Sequence, residues 1–225
     1  MNVLGLITTT HDPDKSTSVA MLDAALAEIR EQSPGANVRV INANDLHIVK
    51  NLSCYANGKK DCANPASGPY RCWAHYESLK HPERYGGVDQ MPVIYDALAW
   101  ADVVVFSTSV RWGSHSALAQ KVIERMDTLE NRGSSWNEPY PMRGKRLGVL
   151  VAGLHWKAGA VGQHLAETLR WWGFDIPERS GWLAWQRTDD VYFEHPNLDL
   201  PYVERWLDTE EGKRAVKRFA AGLVA

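Results

Sequence analysis

The stretch from Asp102 to Met126, DVVVFSTSVRWGSHSALAQKVIERM, decides how the rest of the chain is read. Val103 to Phe106 is a continuous apolar run, β-branched and aromatic, which suits a strand covered on both faces in a parallel sheet; a half-exposed strand would alternate apolar with polar. Directly after it, Ser107, Thr108, Ser109, Arg111, Trp112 and Gly113 crowd hydroxyls, a cation, an indole and a flexible backbone into one polar loop. Ser114 stands where it would cap the helix that follows. Open α/β sheets bind ligands in loops at the carboxyl ends of their strands. The simpler alternative is a plain strand-to-helix turn that carries a stray tryptophan.

The flanking sequence repeats the pattern. Upstream, Val3 to Ile7 is a short apolar strand that opens into a hydroxyl-rich loop from Thr8 to Ser18, and a helix follows with Val19, Leu22, Ala25, Leu26 and Ile29 on one face. A helix N-terminus offers unpaired backbone N–H groups and partial positive charge, so with these hydroxyls it can hold a phosphate. No GxGxxG and no P-loop lysine pattern is present. Val38 to Ile41 gives a second strand, making a right-handed βαβ unit. Ile94, Leu98 and Ala101 share a helical face that leads into the Asp102 strand. Past Gly113 a helix carries Leu118, Val122, Met126 and Leu129 on one side, with Lys121, Glu124 and Arg125 toward solvent, and ends near Asn131 to Gly133. Leu147 to Ala152 is another buried strand, opening into a loop from Gly153 to Gly159, and a helix through Val161, Leu165, Leu169 and Trp172 follows. A less regular strand within Phe174 to Trp185 and a terminal helix from Val203 to Leu223 complete the chain.

These elements predict an α/β class protein, one doubly wound domain over residues 1–225; if its five-stranded parallel sheet has the flavodoxin-like order 2-1-3-4-5, the three loops converge at one edge. Residues 45–90 break the pattern and read as a long insertion after the second strand, a lid or a contact to another subunit. All three cysteines lie there, Cys54, Cys62 and Cys72. Their open spacing lacks the tight C-x-x-C pairs of metal and cluster sites, although His75 or His81 could complete one, so they read as packed thiols and no metal is expected. A formal net charge of -2 gives no general pull toward nucleic acid or an anionic membrane. With no signal-peptide pattern and no long apolar span, the expected location is cytoplasmic. Ten tryptophans mark heavy burial, a flat-ligand site or an interface.

The hydroxyl loop after the first strand, the segment ALAWADVVVFSTSVRWGSHSALAQKVIER and the glycine-containing loop after the fourth strand together resemble the flavodoxin-fold NAD(P)H-dependent FMN reductase superfamily, which includes flavodoxin-like quinone reductases. The resemblance covers about two thirds of the chain. It implies FMN as cofactor and NAD(P)H as co-substrate. Thr9, Thr10, Ser16, Thr17 and Ser18 would hold the FMN phosphate. Thr108, Ser109, Val110, Arg111, Trp112 and Gly113 would hold the isoalloxazine from one side, and Gly153, Leu154, His155 and Trp156 would border it from the other. Arg111 would steady negative charge near the reduced ring or meet a cofactor phosphate, and His155 would give a proton to the acceptor, a quinone, free flavin or another flat molecule. A homodimer or homotetramer is implied as well. Two departures stand out: Asp12 and Asp14 in the first loop would repel a phosphate if they pointed inward, and bulky His155 and Trp156 would narrow the ring pocket. An electron carrier of the flavodoxin kind and an iron-sulfur flavoprotein using the inserted cysteines are the alternative readings.

Overall fold

In the computed structural model the described residues are 1–54, 70, 72–134, 136–154, 156–187 and 199–225. Among the described residues six strands, β1 (Asn2–Ile7), β2 (Asn37–Asn42), β3 (Val103–Arg111), β4 (Ser114–His115), β5 (Arg146–Leu154) and β6 (Trp182–Arg187), form one sheet. Five of them are parallel in the order β2-β1-β3-β5-β6, the predicted doubly wound arrangement, and β4 adds only a short antiparallel pairing to the end of β3.

Both faces of the central strands are covered, and the alternation of side chains along a strand divides the core in two. Val103 and Val105 point with Val3, Ile7, Leu150 and Ala152 to one layer, against α1 (Thr17–Gln32) and the C-terminal helices. Val104 and Phe106 point with Leu4, Leu6, Val149 and Val151 to the other. Against that second layer lie α4 (Met91–Trp100), α5 (Ala117–Arg125) and α7 (Ala158–Trp171), through Ile94, Leu98, Leu118, Val122, Leu165 and Leu169.

Several expectations are corrected. The hydroxyl run Ser107 to Ser109 is not loop: β3 continues to Arg111, because each of these side chains finds a polar partner inside the sheet edge. Gly153 and Leu154 likewise belong to β5. Ser114 lies in β4, and Ser116 is the helix cap, its Oγ accepting from the Ala119 N–H at 3.0 Å. The amphipathic segment behind it is two helices, α5 and α6 (Asp127–Ser134), which meet at Met126. The last strand starts at Trp182, Asp175 making only an isolated bridge to Arg146. The terminal helix is also double, α8 (Asp199–Asp208) and α9 (Glu210–Val224), because the Thr209 hydroxyl accepts from Gly212 N–H and caps the second.

The insertion is more regular than its composition suggests, with α2 (Trp73–Lys80) and α3 (Pro82–Tyr85) among its described residues. Residues 55–69 and 71, including Cys62, lie outside the description. What anchors this region is a residue the sequence assigned to solvent. Arg125 is 3% exposed, and its guanidinium grips Asp89 with two bonds, Nη1 to Oδ1 at 2.9 Å and Nη2 to Oδ2 at 2.7 Å. Nη1 also donates to the Val49 carbonyl at 2.6 Å, while Asp89 Oδ1 accepts from the Val49 N–H at 2.9 Å. A buried charge is tolerated only when paired and hydrogen-bonded, and this pair joins the insertion to the end of α5. Cys54 and Cys72 are both buried.

Candidate functional site

Parallel strands of a sheet end on the same side, so the three segments singled out in the sequence meet at the carboxyl edge of β1, β3 and β5. They are joined there by hydroxyl contacts between residues about a hundred positions apart. Thr8 Oγ1 donates to the Ser107 carbonyl at 2.8 Å, Thr9 Oγ1 and Ser109 Oγ share a bond of 3.2 Å, and Ser107 Oγ donates to the Ser18 carbonyl at 2.7 Å. Ser116 Oγ donates to the Thr8 carbonyl and receives the Thr108 hydroxyl at 3.3 Å. Each hydroxyl is buried, so an unmet partner would cost about 1–3 kcal/mol.

This network separates the first group of predicted residues by role. Thr9, Ser16 and Ser18 are buried, and Ser16 Oγ bonds Ser18 Oγ at 3.0 Å. They shape the start of α1 from beneath. Thr10 is exposed and Thr17 partly so. The helix N–H groups of Thr17 and Ser18 precede the first bonds of the helix ladder, which begin with the Val19 and Ala20 N–H groups donating to the Ser16 carbonyl. An anion at this end therefore meets N–H donors and the positive end of a sixteen-residue helix. Asp14 is exposed, and Asp12 is engaged within its own turn. A short turn at Pro13–Lys15 directs Asp12 to Asp14 N–H at 3.3 Å and to Lys15 Nζ at 3.4 Å, so its charge is already met.

The second group forms a hairpin. Val110 pairs with His115 and Arg111 with Ser114, which leaves Trp112 and Gly113 as a two-residue turn with φ of 49° and 78°. Two positive φ values make a turn of the I′ type, favoured for a tight hairpin, whose first position normally takes Asn, Asp or Gly. A bulky aromatic residue there is strained. The indole gains nothing from the chain in exchange, since Trp112 is 97% exposed. The turn also leaves the N–H groups of Trp112 and Gly113 outside the strand ladder. Arg111 is exposed, its Nη1 donating to the Val110 carbonyl at 3.1 Å. Thr108, Ser109 and Val110 are buried supports of this hairpin.

The third segment touches the second. A Cβ on Gly113 would stand 3.0 Å from Lys157 Cδ and 3.2 Å from Trp156 Cη2, so the hairpin tip lies against the β5–α7 loop. Trp156 is 46% exposed and the Lys157 ammonium sits 4.8 Å from its ring centroid. Gly153 is required by close approach: a Cβ there would come within 2.9 Å of Val110 Cγ2. Leu154 is partly buried, and His155 lies outside the described residues.

Residues that sequence reasoning missed complete the edge. Ser116 ties three segments together, and its signal was a serine three residues before Ala119. Lys157, with φ of 62°, starts α7 in the left-handed region. Gln186, at the end of β6, accepts from the first N–H of α7 at 3.1 Å. His115, bonded through Nε2 to Gln120 at 2.7 Å, stacks on His164 with centroids 6.2 Å apart. Nothing in the local sequence marks that pair. Among the described residues no helix is long and apolar enough to cross a membrane.

The arrangement, a helix start with N–H groups outside the helix ladder, an exposed indole and a glycine-bearing loop at one sheet edge, suits a planar ligand with a phosphate tail. Residues 1–187 match the model of the family described as NADPH-dependent FMN reductase. None of the curated proteins matches the chain. Among solved structures, RosB with a bound 8-demethyl-8-formylriboflavin-5'-phosphate intermediate is 16% identical, covering 99% of this chain and 79% of that one, with a TM-score of 0.64. An azoreductase from Bacillus anthracis str. Sterne is 14% identical over 97% of this chain and 100% of its own, with a TM-score of 0.60. An FMN-dependent NADH-azoreductase from Bacillus anthracis str. Ames Ancestor, in complex with FMN, is 15% identical over 100% and 99%, with a TM-score of 0.54. At such identities these likenesses speak to fold.

Proposed function

The chain belongs to the NADPH-dependent FMN reductase family and is an oxidoreductase with FMN as its cofactor; on that premise we propose that NAD(P)H reduces it and that a quinone, a free flavin or another flat acceptor takes the electrons. Bound FMN supplies hydride-accepting and hydride-donating chemistry that no side chain here possesses. The protein's own part is to hold, orient and shield.

The residues present fit the group. Thr10, Thr17 and the N–H groups at the start of α1 hold the phosphate, with Ser16 and Ser18 fixing that turn from below. Trp112 offers a stacking face, and the N–H groups of Trp112 and Gly113 would donate to the ring's polar atoms. Trp156 and the Gly153–Leu154 strand end border the other side, and Arg111 brings a positive charge that steadies electron-rich states. His155 is the proposed proton donor to the acceptor. The azoreductase likenesses extend the acceptor class to azo compounds, which are flat in the same way. The observation that carries this reading is Trp112, a strained and almost wholly exposed indole held at the carboxyl edge of the sheet, the edge at which α1 also begins.

A homodimer or homotetramer is part of the proposal, supported by Trp171, which stands 86% exposed on α7 near a surface groove containing Arg170 and Trp182; sedimentation of the purified protein measures it. The central test is an FMN titration of the purified protein followed by flavin fluorescence, then NADPH and NADH oxidation with a quinone, an azo dye and free flavin. Saturable binding with turnover is expected. Failure to bind FMN would sink the proposal, and binding without NAD(P)H oxidation would move the protein to the class of electron carriers.

A further inference from the structure

Three local preferences are set aside at Lys157. Its φ of 62° is left-handed, a region that strains a long side chain and usually takes Gly, Asn or Asp. It is the N-cap of α7, a position that favours a short oxygen-bearing side chain, yet its own side chain makes no capping bond. It also sets a positive charge at the positive end of a helix of 14 residues, where the macrodipole favours an anion. The cap is supplied from elsewhere, by Gln186 Oε1 accepting the Ala158 N–H at 3.1 Å. Positions at which local choices conflict with the fold are where function is expected.

The Lys157 side chain reaches from the β5–α7 loop to the hairpin tip. Its Nζ stands 4.8 Å from the Trp156 ring centroid, and a Cβ on Gly113 would lie 3.0 Å from its Cδ and 3.4 Å from its Nζ. The ammonium therefore sits between the Trp156 indole and the turn whose N–H groups, those of Trp112 and Gly113, are outside the strand ladder. Lys157 is exposed, and no carboxylate among the described residues pairs with it. Arg111, the cation of the hairpin itself, turns Nη1 back to the Val110 carbonyl at 3.1 Å.

We propose, on the premise that FMN binds at this edge, that the Lys157 ammonium stabilises the negative charge that reduction places on the ring and so raises the potential at which the protein accepts electrons. A hydride from NAD(P)H carries two electrons and one proton into a neutral ring, leaves NAD(P)+ behind and gives the ring one negative charge. A cation held at the border of the ring lowers the energy of the charged form and leaves the neutral form nearly untouched, so reduced FMN binds more tightly than oxidised FMN. The positive end of α7, which disfavours a lysine in the flavin-free protein, acts with that lysine once the ring is negative.

The test loads the full chain and its Lys157→Met, Lys157→Arg and Lys157→Glu variants with FMN, then measures the two-electron potential by anaerobic spectroelectrochemical titration alongside the affinity for oxidised FMN. Lys157→Met should lose about tenfold in preference for the reduced form, a potential lower by about 30 mV. Lys157→Arg should stay close to the unaltered chain, and Lys157→Glu should fall below Lys157→Met. A lysine that only packs between the loops affects both oxidation states alike, so its removal changes affinity and leaves the potential where it was; that result overturns the proposal while the FMN site stands. If the unaltered chain takes up no FMN, the premise itself fails and the role of Lys157 fails with it.

Discussion

Replacing Trp112 by Asn should move stability and flavin affinity in opposite directions. Asn accepts the left-handed backbone that Trp112 adopts at φ 49°, and Asn-Gly is the preferred pair for a two-residue hairpin of this type. A bulky side chain in that region costs about 1–2 kcal/mol, of which Asn recovers about 1 kcal/mol. At 97% exposure the indole has almost no burial to lose, so the flavin-free variant should be more stable, with Tm higher by about 3 °C for a chain of this size. Flavin affinity should move the other way. An aromatic stack contributes about 1–1.5 kcal/mol, so its loss weakens FMN binding by about tenfold. The assay pairs calorimetry of the apoprotein with a fluorescence titration of FMN. A fall in apoprotein Tm would show that the indole packs on its own chain, and an unchanged FMN affinity would remove Trp112 from the site; either result refutes the reasoning.

The remaining predictions concern the phosphate end, the insertion anchor and alkaline pH. Thr17→Glu puts a carboxylate at the start of α1, where the helix dipole should stabilise the apoprotein by about 0.3–1 kcal/mol; FMN affinity should drop tenfold or more through charge repulsion while riboflavin, which lacks the phosphate, binds as before. Asp89→Asn leaves Arg125 buried without its counter-charge, a loss of about 3–5 kcal/mol visible as a Tm lower by about 10 °C, and pairing it with Arg125→Leu should restore part of that loss. Burial, with Cys72 and Asp89 adding to it, holds the Tyr95 phenol well above the usual value of 10.0. A folded pKa above the unfolded one means its contribution is complete below pH 10 and is lost as pH rises through the folded value. Tyr95→Phe should therefore flatten the alkaline fall in stability measured by urea titration. At neutral pH it should cost about 1 kcal/mol for the hydrogen bond to the Arg125 carbonyl.

What could be read from sequence followed from contacts that repeat at short range. Val103 to Phe106 is unbroken because both faces of β3 are covered, and the helical stripe Leu118, Val122, Met126 and Leu129 is buried as its spacing implies. Strand ends were harder. Ser107 to Ser109 continue a strand because Ser18, Ser116 and Thr9 satisfy their hydroxyls, and apart from Ser116 these partners are some ninety or more positions away. The two-residue hairpin moved the helix cap from Ser114 to Ser116, a choice between like residues that only backbone geometry makes. Arg125 looked like a surface cation because its partner Asp89 lies in the insertion, where no periodic pattern pointed. The proposed flavin-edge residues were picked out by type, yet their division into exposed Thr10 and Trp112, half-buried Thr17 and Gly113, and buried supports such as Ser18 and Thr108 needed the packed sheet.

The hydroxyl contacts beneath the site also bear on the order in which the protein assembles. Thr8 to Ser107, Thr9 to Ser109 and Ser116 to Thr8 each close a loop of about a hundred residues, and such closures come late because their entropy must be met before the contact forms. The proposed phosphate and ring surfaces rest on those contacts, so on this reading a chain with β1 and β3 unpaired has no competent pocket. FMN then recognises the completed fold and adds its binding free energy to global stability by mass action, and it cannot serve as a template on which the sheet first forms.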